Sequence, residues 1–184
     1  MKTSPLVRPI VVFATLSLGS VASADVVTDW NIAALNAIRA NRTSPPVASR
    51  ALAILHVSIY DAVNGISRTH EPYAVESAVP ASASIEAAAS AAAHRVLMTL
   101  FPTDAASFDD VHSATLAKIS DGPQKDRGMA WGEAVADQIL ALRANDRSDV
   151  IGQPPPFSGA GFWEPTPPLF ARYLLPQWGF VRPF

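Results

Sequence analysis

Half of the sixteen prolines of this 184-residue chain lie in residues 146–184. They are Pro154, Pro155, Pro156, Pro165, Pro167, Pro168, Pro176 and Pro183. Each proline lacks a backbone N–H donor and disfavours helix in the residue before it. Residues 25–145, by contrast, are rich in Ala, Leu, Ile and Val, with apolar residues at helical spacing. We therefore predict a helical bundle over 25–145 and a Pro- and aromatic-rich, irregular arm over 146–184.

Five helices are predicted within the bundle, and the absence of period-2 alternation makes the fold class all-α. The first helix covers about 28–40 and the third 84–100, ending at Phe101-Pro102. The fourth begins near Thr103 or Asp104 and ends before Gly122. The fifth opens after Pro123 and continues to about residue 145.

The second helix has the clearest end signals. Ser44 is predicted as its N-cap, Pro45 and Pro46 suit the first turn, and Gly65 suits the left-handed position after the last turn. Apolar stripes on two sides predict that this helix is the central one.

Three small residues of the fifth helix, Gly128, Gly132 and Ala136, fall at four-residue spacing. This pattern predicts that one side of the helix is closely approached by another helix.

The first 24 residues are typical of a secretory signal. Lys2 and Arg8 are followed by an apolar stretch over 10–21 and by the small residues 22–24, so we expect cleavage after Ala24 and an exported chain, periplasmic or extracellular, with no stable membrane span. An uncleaved N-terminal anchor is the alternative. Cleavage leaves 160 residues, one domain in size, and changes the net charge from −2 to −4.

Composition excludes several classes of function. Nucleic-acid-binding proteins normally have a stripe of basic residues, and this sequence shows none. The chain has no cysteine, which excludes disulfides, thiolate metal sites and cysteine nucleophiles. Ser158 does not lie in a Gly-x-Ser-x-Gly elbow, and no phosphate-binding Gly-x-x-x-x-Gly-Lys motif is present.

Polar residues of the second helix favour a structural role. His56 and Asp61 are five residues apart and point about 140° away from each other, so we expect His56 to bond to another neighbour. Arg50 and Asp61 lie about 16 Å apart, so each needs a further partner. The segment from Tyr60 to Asn64 is predicted to hold a polar network against a neighbouring helix.

Metal binding has little support. Asp109 and His112 share a helix face beside Asp110, but two ligands do not make a site, and the helix dipole favours acidic residues near its start. His70 and His94 have no second ligand at useful spacing. We therefore assign no catalytic, cofactor-binding or metal-ligating residue in this chain.

Several stretches together resemble bacterial vanadium-dependent haloperoxidase-like proteins of the type 2 phosphatidic acid phosphatase (acid phosphatase/haloperoxidase) superfamily. In order they are Trp30-Asn31, residues 50–64 (RALAILHVSIYDAVN), 92–102 (AAHRVLMTLFP), 132–136 (GEAVA), 163–168 (WEPTPP) and 175–184 (LPQWGFVRPF). The resemblance covers nearly the whole chain after the signal segment and implies a helical bundle that holds vanadate or phosphate.

The oxyanion motifs of that family are absent. The family pattern is Lys-x6-Arg-Pro, then Pro-Ser-Gly-His, then Ser-Arg-x5-His. Arg182-Pro183 has Leu175 in place of the lysine, Ser67-Arg68 has Ala74 in place of the histidine, and Pro-Ser-Gly-His does not occur. No family site residue can therefore be transferred, and vanadate is expected only in a longer parent enzyme.

The resemblance implies that the chain is the N-terminal scaffold of an exported enzyme, with the catalytic half as its missing partner. Haloperoxidase and phosphatase activities remain alternatives for that parent, and a homo-oligomer remains open. The competing hypothesis is a stand-alone exported helical interaction module without catalysis. By either hypothesis we expect this chain alone to be inactive, because its basic side chains in the apolar helices are predicted to be isolated.

Overall fold

A computed structural model of the protein describes residues 25–77, 82–153 and 159–184. The predicted signal segment 1–24 and Ser158 lie outside the described residues. Within those ranges the chain forms α-helices and no β-strand, which confirms the all-α class. The helices are α1 (Val26–Ala40), α2 (Pro45–Ser67), α3 (Ile85–Leu100), α4 (Ala105–Leu116) and α5 (Pro123–Arg143).

The helix starts follow local signals. The α1 helix begins two residues earlier than predicted, after Asp25 in an extended conformation. The Ser84 hydroxyl caps α3 by accepting a hydrogen bond from the Ala87 amide at 3.1 Å. Ser44 occupies the predicted N-cap position of α2, but its side chain makes no capping bond. A 3-10 turn, Pro102–Asp104, precedes α4.

The prediction for Gly65 was wrong. The α2 helix continues through Ser67, and Arg68 takes the left-handed position with φ 52°. Gly65 is helical and lies under Trp131, whose indole nitrogen donates to the Ala62 carbonyl at 2.9 Å. A Cβ at Gly65 would overlap that ring. The glycine is needed for helix packing and does not mark the end of the helix.

The centre of the bundle is α3, and the prediction that α2 is central was wrong. The α3 helix contacts all four other helices. Every residue from Ala87 to Ala93 is buried, including Ser90. Six alanines in this stretch allow neighbouring helices to approach from several sides, which longer side chains would prevent. The α2 helix packs mainly against α3 and α5.

The predicted close approach at the fifth helix is confirmed, and its partner is α3. A Cβ at Gly128 would overlap the Ser84 carbonyl oxygen, and a Cβ at Gly132 would overlap the backbone at Ala88 and Ala92. The two helices therefore meet backbone to backbone.

The described residues after α5 include a 3-10 turn, Pro176–Phe180, but no α-helix or strand. The segment returns to the bundle, because the Arg182 amide donates to the Asp146 carbonyl at 2.9 Å. Arg143 donates to the carbonyls of Arg182 and Pro183, and its guanidinium lies 3.9 Å from the centre of the Phe184 ring. The end of the described chain is thus attached to the end of α5.

Candidate functional site

His56 lies half-buried on α2, in a groove between α1, α2 and the loop that follows α2. Its Nε2 is hydrogen-bonded to Asn31 Oδ1 at 3.1 Å, so the expectation of a neighbour other than Asp61 is confirmed. The groove has a volume of about 370 Å³, and Ile59 and Val63 line it together with the exposed His70. Because an amide oxygen only accepts, Nε2 is the donor in this hydrogen bond.

Asp61 is fully buried and holds the loop after α2. Its carboxylate accepts hydrogen bonds from the backbone amides of Tyr73, Ala74 and Val75 at 2.7 to 2.9 Å. These backbone amides satisfy the buried carboxylate, so Asp61 has a structural role.

Two neighbours on α2 hold the same loop. Asn64 bonds to both the amide and the carbonyl of His70, at 3.0 and 2.6 Å. The Tyr60 hydroxyl donates to the Glu71 carbonyl at 2.7 Å. The polar network predicted for this segment is present, but the prediction that it faces a neighbouring helix was wrong, because its partners lie in the loop after α2.

Sequence reasoning missed a histidine pair between α3 and α4. His94 and His112 stack with ring centres 4.5 Å apart, and His94 Nε2 lies 2.8 Å from Asp109 Oδ1. On the other side, His112 Nδ1 bonds to Ser90 Oγ at 2.9 Å, and the buried Trp30 indole donates to the same oxygen at 3.1 Å. His94 and Asp109 are 15 positions apart and lie on different helices, so their spacing in the sequence does not indicate this contact.

The histidine pair is not arranged as a metal site. Across the described ranges, no group of three or more His, Asp or Glu side chains could hold a metal ion. Imidazole lone pairs lie in the ring plane, so two rings stacked at 17° do not converge on an ion between them. Asp110 remains exposed.

The environment of His112 favours its neutral form. Burial, as the largest cause, and the neighbouring His94 together lower the pKa of His112 from 6.5 to about 4, although the charge of Asp109 opposes them. In its neutral form, His112 accepts a hydrogen bond from the Ser90 hydroxyl at Nδ1, and Ser90 Oγ in turn accepts a hydrogen bond from the Trp30 indole. This arrangement joins α1, α3 and α4.

A second charged cluster joins α2 to the end of α5. Asp146 is 1% exposed, and its Oδ2 accepts from Arg50 Nε at 2.7 Å and from Arg143 at 2.8 and 3.1 Å. Arg50 also donates to the Arg143 carbonyl at 3.0 Å. The further partner expected for Arg50 is therefore Asp146, whereas the prediction that basic residues in the apolar helices are isolated was wrong.

Asp146 remains ionised in this cluster. Burial alone would raise the pKa of Asp146, but hydrogen bonds from Arg50 and Ser148 hold it at about 2. One carboxylate thus faces two guanidinium groups. Arg143 and Asp146, three residues apart, could have been paired from the sequence, but the third member, Arg50, lies 96 positions before Asp146.

Comparison with family models, with curated proteins and with solved structures finds no match to this chain. In the described part of the chain, the helices are all too short or too polar to cross a membrane.

Proposed function

We propose that this chain is the exported N-terminal helical scaffold of a vanadium haloperoxidase-like or acid phosphatase-superfamily enzyme, and that it contains no oxyanion site of its own. The proposal rests on the order of the resembling stretches and on the structural roles of their residues. Asp61 holds a loop, and Gly132 serves helix packing. In this view these stretches maintain the scaffold, and the catalytic residues belong to another part of the parent enzyme.

The observation that carries the proposal is the exposed apolar surface of the arm. Nine of the fourteen exposed large hydrophobic residues in the described part of the chain follow Asn145. The extreme cases are Ile151 at 87% and Leu169 at 84% exposed. Single exposed apolar side chains are ordinary, but concentrated ones mark surfaces that another protein segment covers. The arm would be the surface on which the catalytic half packs.

The genomic DNA beyond the Phe184 codon tests this proposal. The scaffold function requires an open reading frame that continues into Pro-Ser-Gly-His and then Ser-Arg-x5-His. A stop codon directly after Phe184 would contradict it and would favour the stand-alone interaction module, in which the same apolar surface binds a separate protein.

Export is tested on the protein itself. Expressed with residues 1–24 in a bacterial host, the protein should appear in the periplasm or medium with Asp25 as its first residue. An intact N-terminus on a membrane-bound product would contradict cleavage.

A further inference from the structure

A pocket of about 330 Å³ lies between the first half of α2 and the end of the described chain. Pro46, Ser49 and Arg50 line it from α2, and Trp178, Arg182 and Phe184 line it from the arm. Its walls are therefore mainly apolar and partly aromatic, with two arginines among them.

The region around the pocket has more positive than negative charge. Arg50 lines the pocket and shares the single carboxylate of Asp146 with the buried Arg143. In the described ranges, the Arg182 guanidinium has no carboxylate within 4 Å, and the residue is exposed. Three guanidinium groups thus have one acidic partner, which leaves an attractive site for an anion.

Hydrogen-bond donors remain for such an anion. Arg50 uses Nε and Nη2 for Asp146 and the Arg143 carbonyl, so Nη1 is left for a further acceptor. The fork of Arg182 matches the two oxygens of a carboxylate. Apolar walls disfavour a small, strongly hydrated anion with several charges, because it would lose water without compensation.

We propose that this pocket binds a small aromatic carboxylate. The carboxylate group is held by Arg182 and the free edge of Arg50, and the ring packs against Trp178 and Pro46. This ligand matches both the excess positive charge and the apolar walls. The inference does not rest on the proposed scaffold function or on any oxyanion chemistry in a parent enzyme.

Benzoate is the probe, and the Trp178 indole signal in ¹H–¹⁵N NMR spectra is the readout, assigned through the Trp178→Phe variant. We expect saturable shifts with a dissociation constant below about 1 mM, within the range for so small a ligand. Benzamide, which has the same shape without charge, should bind at least about tenfold more weakly, since charge-assisted bonds to arginine are the stronger ones. Acetate, which lacks the ring, should also bind more weakly.

The matched variants are Arg182→Gln and Arg172→Gln, both at exposed positions of the arm. The first should weaken benzoate binding at least about fivefold because it removes one charge-assisted contact, and the second should leave it unchanged. Equal binding of benzamide or acetate, equal loss in both variants, or no Trp178 shift at 10 mM benzoate would overturn the proposal. The comparison of benzoate with benzamide and acetate uses the unmodified protein, so it tests the proposal even if Arg182→Gln fails to fold.

Discussion

Two serines are fully buried between the helices, and their hydroxyl groups have opposite surroundings. Ser90 Oγ bonds to Trp30 and His112, whereas Ser58 Oγ has no hydrogen-bond partner among the described residues. A buried hydroxyl without a partner costs free energy that a methyl group avoids. The same substitution is therefore expected to act in opposite directions at the two sites.

We predict that Ser58→Ala raises the free energy of unfolding by about 1 kcal/mol, because it removes an unsatisfied polar atom. Ser90→Ala should lower it by about 1–2 kcal/mol, because Trp30 and His112 lose their partner. Urea denaturation of both variants measures the two changes. Equal destabilisation would mean that Ser58 has a native partner and would contradict the prediction.

His112 is expected to make stability depend on pH. Its pKa is 6.5 in the unfolded chain and about 4 in the fold, so the unfolded chain takes up the proton first as the pH falls. The contribution of His112 to the free energy of unfolding is greatest above pH 6.5 and decreases as the pH falls from 6.5 to 4. Below pH 4 it changes no further. Each pH unit removes up to about 1.4 kcal/mol, and partial exposure reduces the total to about 2 kcal/mol.

The measurement compares the wild type with His112→Asn, which keeps an acceptor near Ser90 but does not titrate. Between pH 7 and pH 4, the free energy of unfolding should fall by about 2 kcal/mol more in the wild type than in the variant. Parallel pH profiles would show that His112 is not the titrating group.

At the scale of the helices, the contact between α3 and α5 depends on the absence of side chains. A Cβ at Gly132 would meet the backbone at Ala88 and Ala92, which cannot move aside as a flexible side chain can. We predict that Gly132→Ala lowers the free energy of unfolding by about 2–3 kcal/mol, although alanine favours helix.

Gly179→Ala is the matched control, since an added Cβ there meets nothing within 4 Å. This change should alter stability by less than about 0.5 kcal/mol. A thermal melt in which Gly132→Ala unfolds at or above the wild-type temperature would rule out the tight contact.

These elements also show what the sequence could predict. Helical spacing and end signals placed all five helices to within a few residues, because both depend on neighbours along the chain. The spacing of Gly128 and Gly132 predicted a close contact but not that α3 was its partner. Gly65 was misinterpreted because a glycine that ends a helix and one that admits Trp131 look alike in sequence.

The candidate sites were harder to predict than the helices, because they form between residues that are distant in the sequence. His94 and His112 belong to different helices and meet only when α3 and α4 pack. Arg50 and Asp146 are 96 positions apart, so their ion pair depends on the folded chain. The sequence indicated which polar residues need partners, whereas their partners are set by the bundle.

Across the described part of the molecule, several cationic side chains are paired with acidic or carbonyl groups. Arg50 and Arg143 share Asp146, and Arg95 pairs with Asp137. Lys125 donates to Asp121 at 2.9 Å and to the Leu116 carbonyl at the end of α4 at 2.8 Å. In the described ranges these cations therefore do not converge on one empty site with the several donors that a multiply charged oxyanion requires.

The last prediction is that residues 25–184 alone neither bind vanadate tightly nor turn over a phosphate ester or a halide with peroxide. Burying an anion with two or three charges costs several kcal/mol or more unless several cations and donors converge on it. The free guanidinium edges beside Asp146 bind such an ion only weakly, with a dissociation constant above about 1 mM, because the apolar walls of the adjacent pocket do not replace the water that a multiply charged ion loses. Calorimetric titration with vanadate and a peroxide-dependent bromination assay measure both parts. One vanadate bound per chain with micromolar affinity, or turnover that His56→Ala abolishes, would contradict the prediction and would make the groove beside α2 a reaction site.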